Sequence, residues 1–241
     1  MKSPHEGHRE RLKKRFLENG LDSFEPHNIL ELLLFYSIPR KDTNEIAHDL
    51  LDKFGSLSAV FNADIDELVK IDGVKENTAT FIKLIPQLLR QYELDLAKNV
   101  TTYDTVDKIG RFFKSLYIGE TREAVYIMLL NNRFEKLAVK KLHEGSVNST
   151  QISVRKIVEE VTRCNASMVV LAHNHPSGFK TPSYEDIDTT SMLSSTLEKI
   201  DILLLEHFLI ADETYTPIIR NTFSNSIVSD VQRDFYQKSY E

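Results

Sequence analysis

The sequence predicts an α+β protein, with an N-terminal all-α helical bundle followed by a mixed α/β domain. Three observations carry that expectation. Up to residue 96, apolar residues recur at helical spacing between short loops. From residue 122, apolar runs of strand length (122–130, 167–172, 202–210) alternate with amphipathic helical patterns. The run at 167–172 ends in His173-Asn174-His175, two imidazoles two residues apart where strand gives way to a Pro/Ser/Gly loop. The expected division is a helical domain over 1–98, an α/β domain over 99–225 and a polar tail over 226–241.

The first twenty residues hold six Lys or Arg against three Glu, and 5–18 reads as a helix with Leu12 and Phe16 on one face. Such a basic stretch is a solvated helix face or a phosphate contact. Asn19-Gly20 closes it. Residues 27–36 form a strongly apolar helix, stopped by Ser37-Ile38-Pro39 because proline disfavours helix at the residue before it. Asp42 or Thr43 caps a third helix carrying Ile46, Ala47, Leu50, Leu51 and Phe54, ended by Gly55. Short helical turns at 58–61 and 65–70 precede a long helix from 76 to 96. The stretch 68–79 resembles the helix-hairpin-helix motif of DNA-binding proteins, with Gly73-Val74-Lys75 at the hairpin and Lys75 where the motif has its second glycine. It serves either phosphate contact or plain helical docking.

Residues 97–103 read as a linker, and Asp104 or Thr105 caps a helix to about 117. A strand at 122–130, a turn at Asn131-Asn132-Arg133 and a return strand at 134–142 form a hairpin. A loop from Gly145-Ser146 leads to an amphipathic helix over 154–164, then to the 167–172 strand. A helix from Ser183 to about 199, a strand at 202–210 and an edge strand at 215–219 complete the pattern. From Asn221 onward nothing is assigned.

With 241 residues, 41% hydrophobic and 27% charged, the composition is that of a soluble globular chain, and a cytoplasmic setting is expected. No apolar run approaches a membrane span, so no membrane partner is expected. The one cysteine, Cys164, excludes an internal disulfide and a cysteine zinc cluster. A net charge of −6 argues against a nucleic-acid footprint over the whole surface.

On a strand, residues i and i+2 share a face, so His173 and His175 aim two nitrogens at one point. Pro182-Ser183 opens a helix, and Asp186 in its first turn becomes a third ligand if the loop folds back. Imidazole and carboxylate without thiolate suit a divalent metal such as zinc, whose catalytic sites pair three protein ligands with one open position. Hydrolysis then needs a general base, for which Glu123 at the start of an apolar strand is the candidate. Ser183 is the candidate for stabilising an oxyanion.

His-x-His, seven residues, Ser, two residues, Asp, with a distant upstream Glu, matches the JAMM metalloprotease motif. The fuller string from His173 to Gly178 with Pro182, Ser183 and Asp186 resembles the RadC family. The segments Gly7-His8-Arg9-Glu10-Arg11-Leu12, Leu30-Glu31-Leu32-Leu33-Leu34 and Arg40-Lys41-Asp42-Thr43-Asn44 resemble that family's N-terminal helical domain. The resemblance implies a JAB-type MPN fold, cytidine-deaminase-like, and a zinc-dependent hydrolase like the deubiquitinating isopeptidases. It implies Zn2+ on His173, His175 and Asp186, Glu123 as acid/base and Ser183 on the oxyanion. The family name also records DNA repair. Where the family commonly has Asp-His on the last core strand, this chain has Glu206-His207, and His207 reads as structural. The expected function is a peptidase or isopeptidase acting on a protein or peptide. The alternatives are a DNA-associated repair or recombination accessory protein, contacting nucleic acid through its N-terminal domain, and a metal-free docking scaffold.

Overall fold

The structure is a computed structural model that describes residues 7–145, 153–212, 214–223 and 229–238. Residues 5–6 of the expected first helix, the loop beginning at Ser146 and parts of the tail lie outside the described residues. The chain forms helices and one mixed five-stranded sheet, an α+β protein. It falls into two compact units divided between Leu89 and Arg90.

The N-terminal unit contains α1 (His8–Asn19), α2 (Pro26–Ser37), α3 (Asn44–Phe54), α4 (Leu57–Asn62), α5 (Ile65–Leu68) and the first part of α6 (Glu76–Leu96). Leu30, Leu34, Leu50, Val60, Leu68 and Ile82 make its core. The basic first helix is used internally. Arg9 donates to the carbonyls of Phe35 in the last turn of α2, of Ile38 just past it and of Lys41 in the following loop, and Arg15 lies 4.0 Å over the Phe24 ring. The Phe35 carbonyl is one that a helix end leaves without an intrahelical partner. His8 and Asn44 both reach the buried Glu31 carboxylate, at 2.9 and 3.3 Å. At the hairpin, Gly73 has φ 84, a conformation that favours glycine, and a Cβ there would make Ile46 give way from 2.6 Å at Cδ1.

The second unit contains the rest of α6, α7 (Val106–Leu116), β1 (Ala124–Leu130), β2 (Lys136–Glu144), α8 (Val154–Cys164), β3 (Met168–Asn174), α9 (Tyr184–Glu198), β4 (Leu203–Ala211), β5 (Thr214–Pro217), α10 (Ile218–Phe223) and α11 (Asp230–Gln237). The sheet order is β2-β1-β3-β4-β5. Only β3 and β4 run parallel. Helices cover both faces, which is why β1 and β3 are apolar along their length. Tyr126, Met128, Leu130, Val170 and Ala172 face α7 and α11. Val125, Ile127, Leu129, Val169 and Leu171 face α8 and α9.

Two features of this unit differ from the sequence pattern. The expected edge strand stops at Pro217, and Ile218 and Ile219 begin α10 instead. The cause is Glu206 on β4, a fully buried carboxylate that accepts from the backbone N–H groups of Ile219 (2.7 Å) and Arg220 (3.1 Å). It supplies the acceptors that a helix start needs. Past residue 228, where the pattern assigns nothing, α11 buries Phe235 completely. Its Gln232 donates to the carbonyls of Leu204 (3.0 Å) and Leu205 (3.2 Å). Those carbonyls border a register shift in β4, where Val169 pairs with Leu204 but Val170 pairs with Glu206.

Candidate metal centre

Odd-numbered residues of β3 face α9, so His173 follows Val169 and Leu171 onto that side. The parallel ladder continues one step past the strand, where His175 N–H donates to Ile210 O at 2.9 Å, holding His175 in the same phase. Strand β3 reaches Asn174, two residues beyond the 167–172 run. The loop then turns on Gly178 (φ 81), whose N–H returns to His175 O; a Cβ there would meet Asp212 Oδ1 at 3.0 Å.

The returning chain starts α9 with a capping box. Ser183 Oγ accepts from Asp186 N–H (3.1 Å), and Ser183 N–H donates to Asp186 Oδ2 (2.8 Å). The Ser183 hydroxyl also donates to Asp186 Oδ2, at 2.7 Å. With Oδ2 held twice by Ser183, Oδ1 is presented to His173 Nε2 at 3.2 Å. Asp186 Oδ2 lies 3.5 Å from His175 Nε2, and the two imidazole Nε2 atoms are 3.3 Å apart. Ligand atoms of His173, His175 and Asp186 all fall within 4.8 Å of one another. The three residues therefore meet at one point, as the spacing predicts.

The chemistry of this set fits a cation. His175 Nδ1 lies 2.9 Å from Phe179 O. A carbonyl only accepts, so Nδ1 carries the hydrogen, and in the neutral ring Nε2 presents a lone pair. That lone pair faces a carboxylate, and acceptor against acceptor calls for a positive charge between them. Burial acts to raise the Asp186 carboxyl, but the imidazoles of His173 and His175 outweigh it and hold it well below the usual carboxylate range. Asp186 in turn raises His175 above 6.5 against the effect of burial. Two imidazoles and a carboxylate are a donor set that suits zinc.

A metal ion must displace the proton His175 holds. We expect zinc affinity, measured by chelator competition, to rise about tenfold per pH unit through 6.5 and to level off once His175 is neutral. Thermal stability of the metal-free protein should show the opposite sign. A raised histidine pKa gives stability fully present below 6.5 and lost as pH climbs through the folded value.

Glu123 sits half-buried just before β1. The antiparallel register pairs Val125 with His173, and counting on puts Glu123 opposite His175. Its charge is one of the causes that raise His175. Asn174, the last residue of β3, fixes this segment: its Oδ1 accepts from Ala124 N–H (2.7 Å) and its Nδ2 donates to Arg122 O (3.0 Å). Asn174 thus holds the backbone on either side of Glu123. Glu120 is engaged elsewhere, accepting from Tyr126 Oη and Lys141 Nζ, each at 3.0 Å.

Two neighbours carry no signal in the motif. His207 is fully buried on β4, with Nε2 2.8 Å from His173 Nδ1. Its own Nδ1 lies 2.6 Å from Thr190 Oγ1, one turn along α9 from Asp186. The register shift in β4 explains the contact. Pairing partners on adjacent strands share a face, and the shift sets His207 beside Leu171, on the α9 side, where unshifted pairing would set it beside Ala172 on the other. Burial drives the His207 ring well below 6.5, so it is neutral. The available signal was an imidazole in the middle of an apolar strand.

A family profile described as RadC-like JAB domain matches residues 103–222. A UPF0758 protein of Fusobacterium nucleatum is 37% identical over 217 residues, covering 87% of this chain and 94% of that protein.

Proposed function

The chain belongs to the RadC family of JAB-domain proteins, and on that footing we propose that it is a zinc-dependent metallohydrolase of the cytoplasm, cleaving amide bonds as a peptidase or isopeptidase. The observation that carries the reading is the convergence of His173, His175 and Asp186 within 4.8 Å. Among the described residues no helix is long and apolar enough to cross a membrane. A zinc ion on these three ligands supplies a Lewis acid and lowers the pKa of the attacking water.

The remaining work falls to side chains of this chain. Glu123 takes a proton from water as its oxygen adds to the amide carbon. It then gives that proton to the leaving nitrogen as the C–N bond breaks, which restores the carboxylate. Ser183 serves the oxyanion by turning its hydroxyl hydrogen from Asp186 Oδ2 to the substrate oxygen. The Ser183 N–H stays on Oδ2 during that turn and keeps the carboxylate oriented. The test is metal analysis joined to a screen of peptide and isopeptide substrates. One zinc per chain and cleavage of an amide are expected, with both lost in Asp186→Ala. A chain that takes up no zinc when reconstituted would end the reading.

A second reading, DNA association through the N-terminal unit, is favoured by the tight Gly73 turn before α6, where Lys75, Glu76 and Asn77 are exposed. Lys53 and Lys70 nearby are both paired with Glu67. Duplex binding in 50 mM salt should weaken steeply with added salt, and Lys75→Glu should reduce it. The absence of binding at low salt would remove this reading.

A further inference from the structure

We infer that Thr190 and His207 are positioning residues that set the tautomer of His173, so that its Nε2 offers a lone pair to the metal. The inference rests on the metal-site reading above and deepens it.

The direction of the hydrogen-bond chain follows from one carbonyl. Thr190 Oγ1 lies 2.6 Å from the backbone carbonyl of Asp186 and 2.6 Å from His207 Nδ1. A hydroxyl has one hydrogen, and a carbonyl oxygen only accepts. The hydrogen therefore goes to Asp186 O, since the alternative sets two oxygen lone pairs against each other at 2.6 Å. Thr190 Oγ1 is left as an acceptor, so His207 Nδ1 must donate to it. The neutral His207 ring then has its lone pair on Nε2, 2.8 Å from His173 Nδ1. His173 Nδ1 in turn must carry a hydrogen, and its Nε2 faces the site bare. The chain closes on itself: Asp186 supplies both the third ligand oxygen and the carbonyl that orients the first ligand. Run in reverse, the chain would put a hydrogen on His173 Nε2 and block it as a ligand. A ligand histidine whose other nitrogen is fixed in this way binds metal more tightly.

Two measurements test this. In the metal-free protein at pH 8, the 15N shifts of the imidazole rings report the tautomer directly. His173 should carry its hydrogen on Nδ1 in the intact chain. In Thr190→Val, which keeps shape and loses the hydroxyl, both tautomers should appear. Zinc affinity by chelator competition should fall about 10–100-fold in Thr190→Val and return in Thr190→Ser. A purely structural Thr190 would change melting without moving the tautomer. An intact protein with the His173 hydrogen on Nε2 would overturn the inference. So would a Thr190→Val protein whose tautomer and zinc affinity match the intact chain. If the intact chain fixes the Nδ1 tautomer through Thr190 but takes up no zinc, the hydrolase reading fails while the hydrogen-bond chain stands.

Discussion

Glu123→Gln is expected to retain its zinc and to lose amide hydrolysis by about 10²–10⁴-fold, the usual range for removing a general base. The two outcomes separate because Glu123 and the ligands lie on different chain segments. The ligands come from the end of β3 and the first turn of α9. Glu123 comes from the residue before β1, and Asn174 holds that segment through the backbone of Arg122 and Ala124, not through the Glu123 side chain. The amide of Gln keeps the size of the carboxylate and cannot take a proton. Zinc content and turnover measured on one preparation check the result. Hydrolysis that survives the change would remove Glu123 from the mechanism and return attention to the water itself.

The largest stability effect is expected at Glu206, away from the chemistry. Its carboxylate accepts from the N–H groups of His207, Ile219 and Arg220, and from Tyr236 Oη at 2.9 Å. Glu206→Ala leaves these donors, those of His207 and Ile219 buried and those of Arg220 and Tyr236 partly so, without that acceptor and opens a cavity, for a loss of about 4 kcal/mol or more. Burial also pushes this carboxyl from 4.5 up to about 7, despite the four donors. Between those two values the folded state keeps a proton that the unfolded chain releases. Its contribution is therefore complete below 4.5 and falls as pH rises to about 7, by about 3 kcal/mol in all. Denaturant unfolding at several pH values would show that decline in the intact protein and its absence in Glu206→Ala. An equal slope in both proteins would assign it to other groups.

The helical half was readable because its signals are local. Helix α6 runs from Glu76 to Leu96 as the pattern predicts, with Pro86 inside it. The convergence of the candidate ligands was readable for the same reason, since strand parity and one helical turn bring His173, His175 and Asp186 together. What escaped depends on distant partners. Residues 218–219 look like strand, and Glu206 turns them into a helix start. The amphipathic pattern of α11 is short, and the carbonyls its Gln232 serves lie beside the register shift in β4. Thr190 is ordinary in sequence, and it meets His207, which the sequence marks only as a structural histidine, where α9 lies against β4.

That slip makes the centre sensitive to chain length as well as to side-chain chemistry. Most single-residue insertions and deletions in this protein should be tolerated best in loops. In β4, removing Leu205 would join Leu204 directly to Glu206 and leave Glu206 beside Val170 and His207 beside Leu171, the pairing they already have. An extra residue between Glu206 and His207 would instead set His207 beside Ala172, on the opposite side of the sheet from the α9 side that His173 shares. Zinc uptake should therefore survive the deletion and fall sharply on the insertion, although neither change touches a candidate ligand.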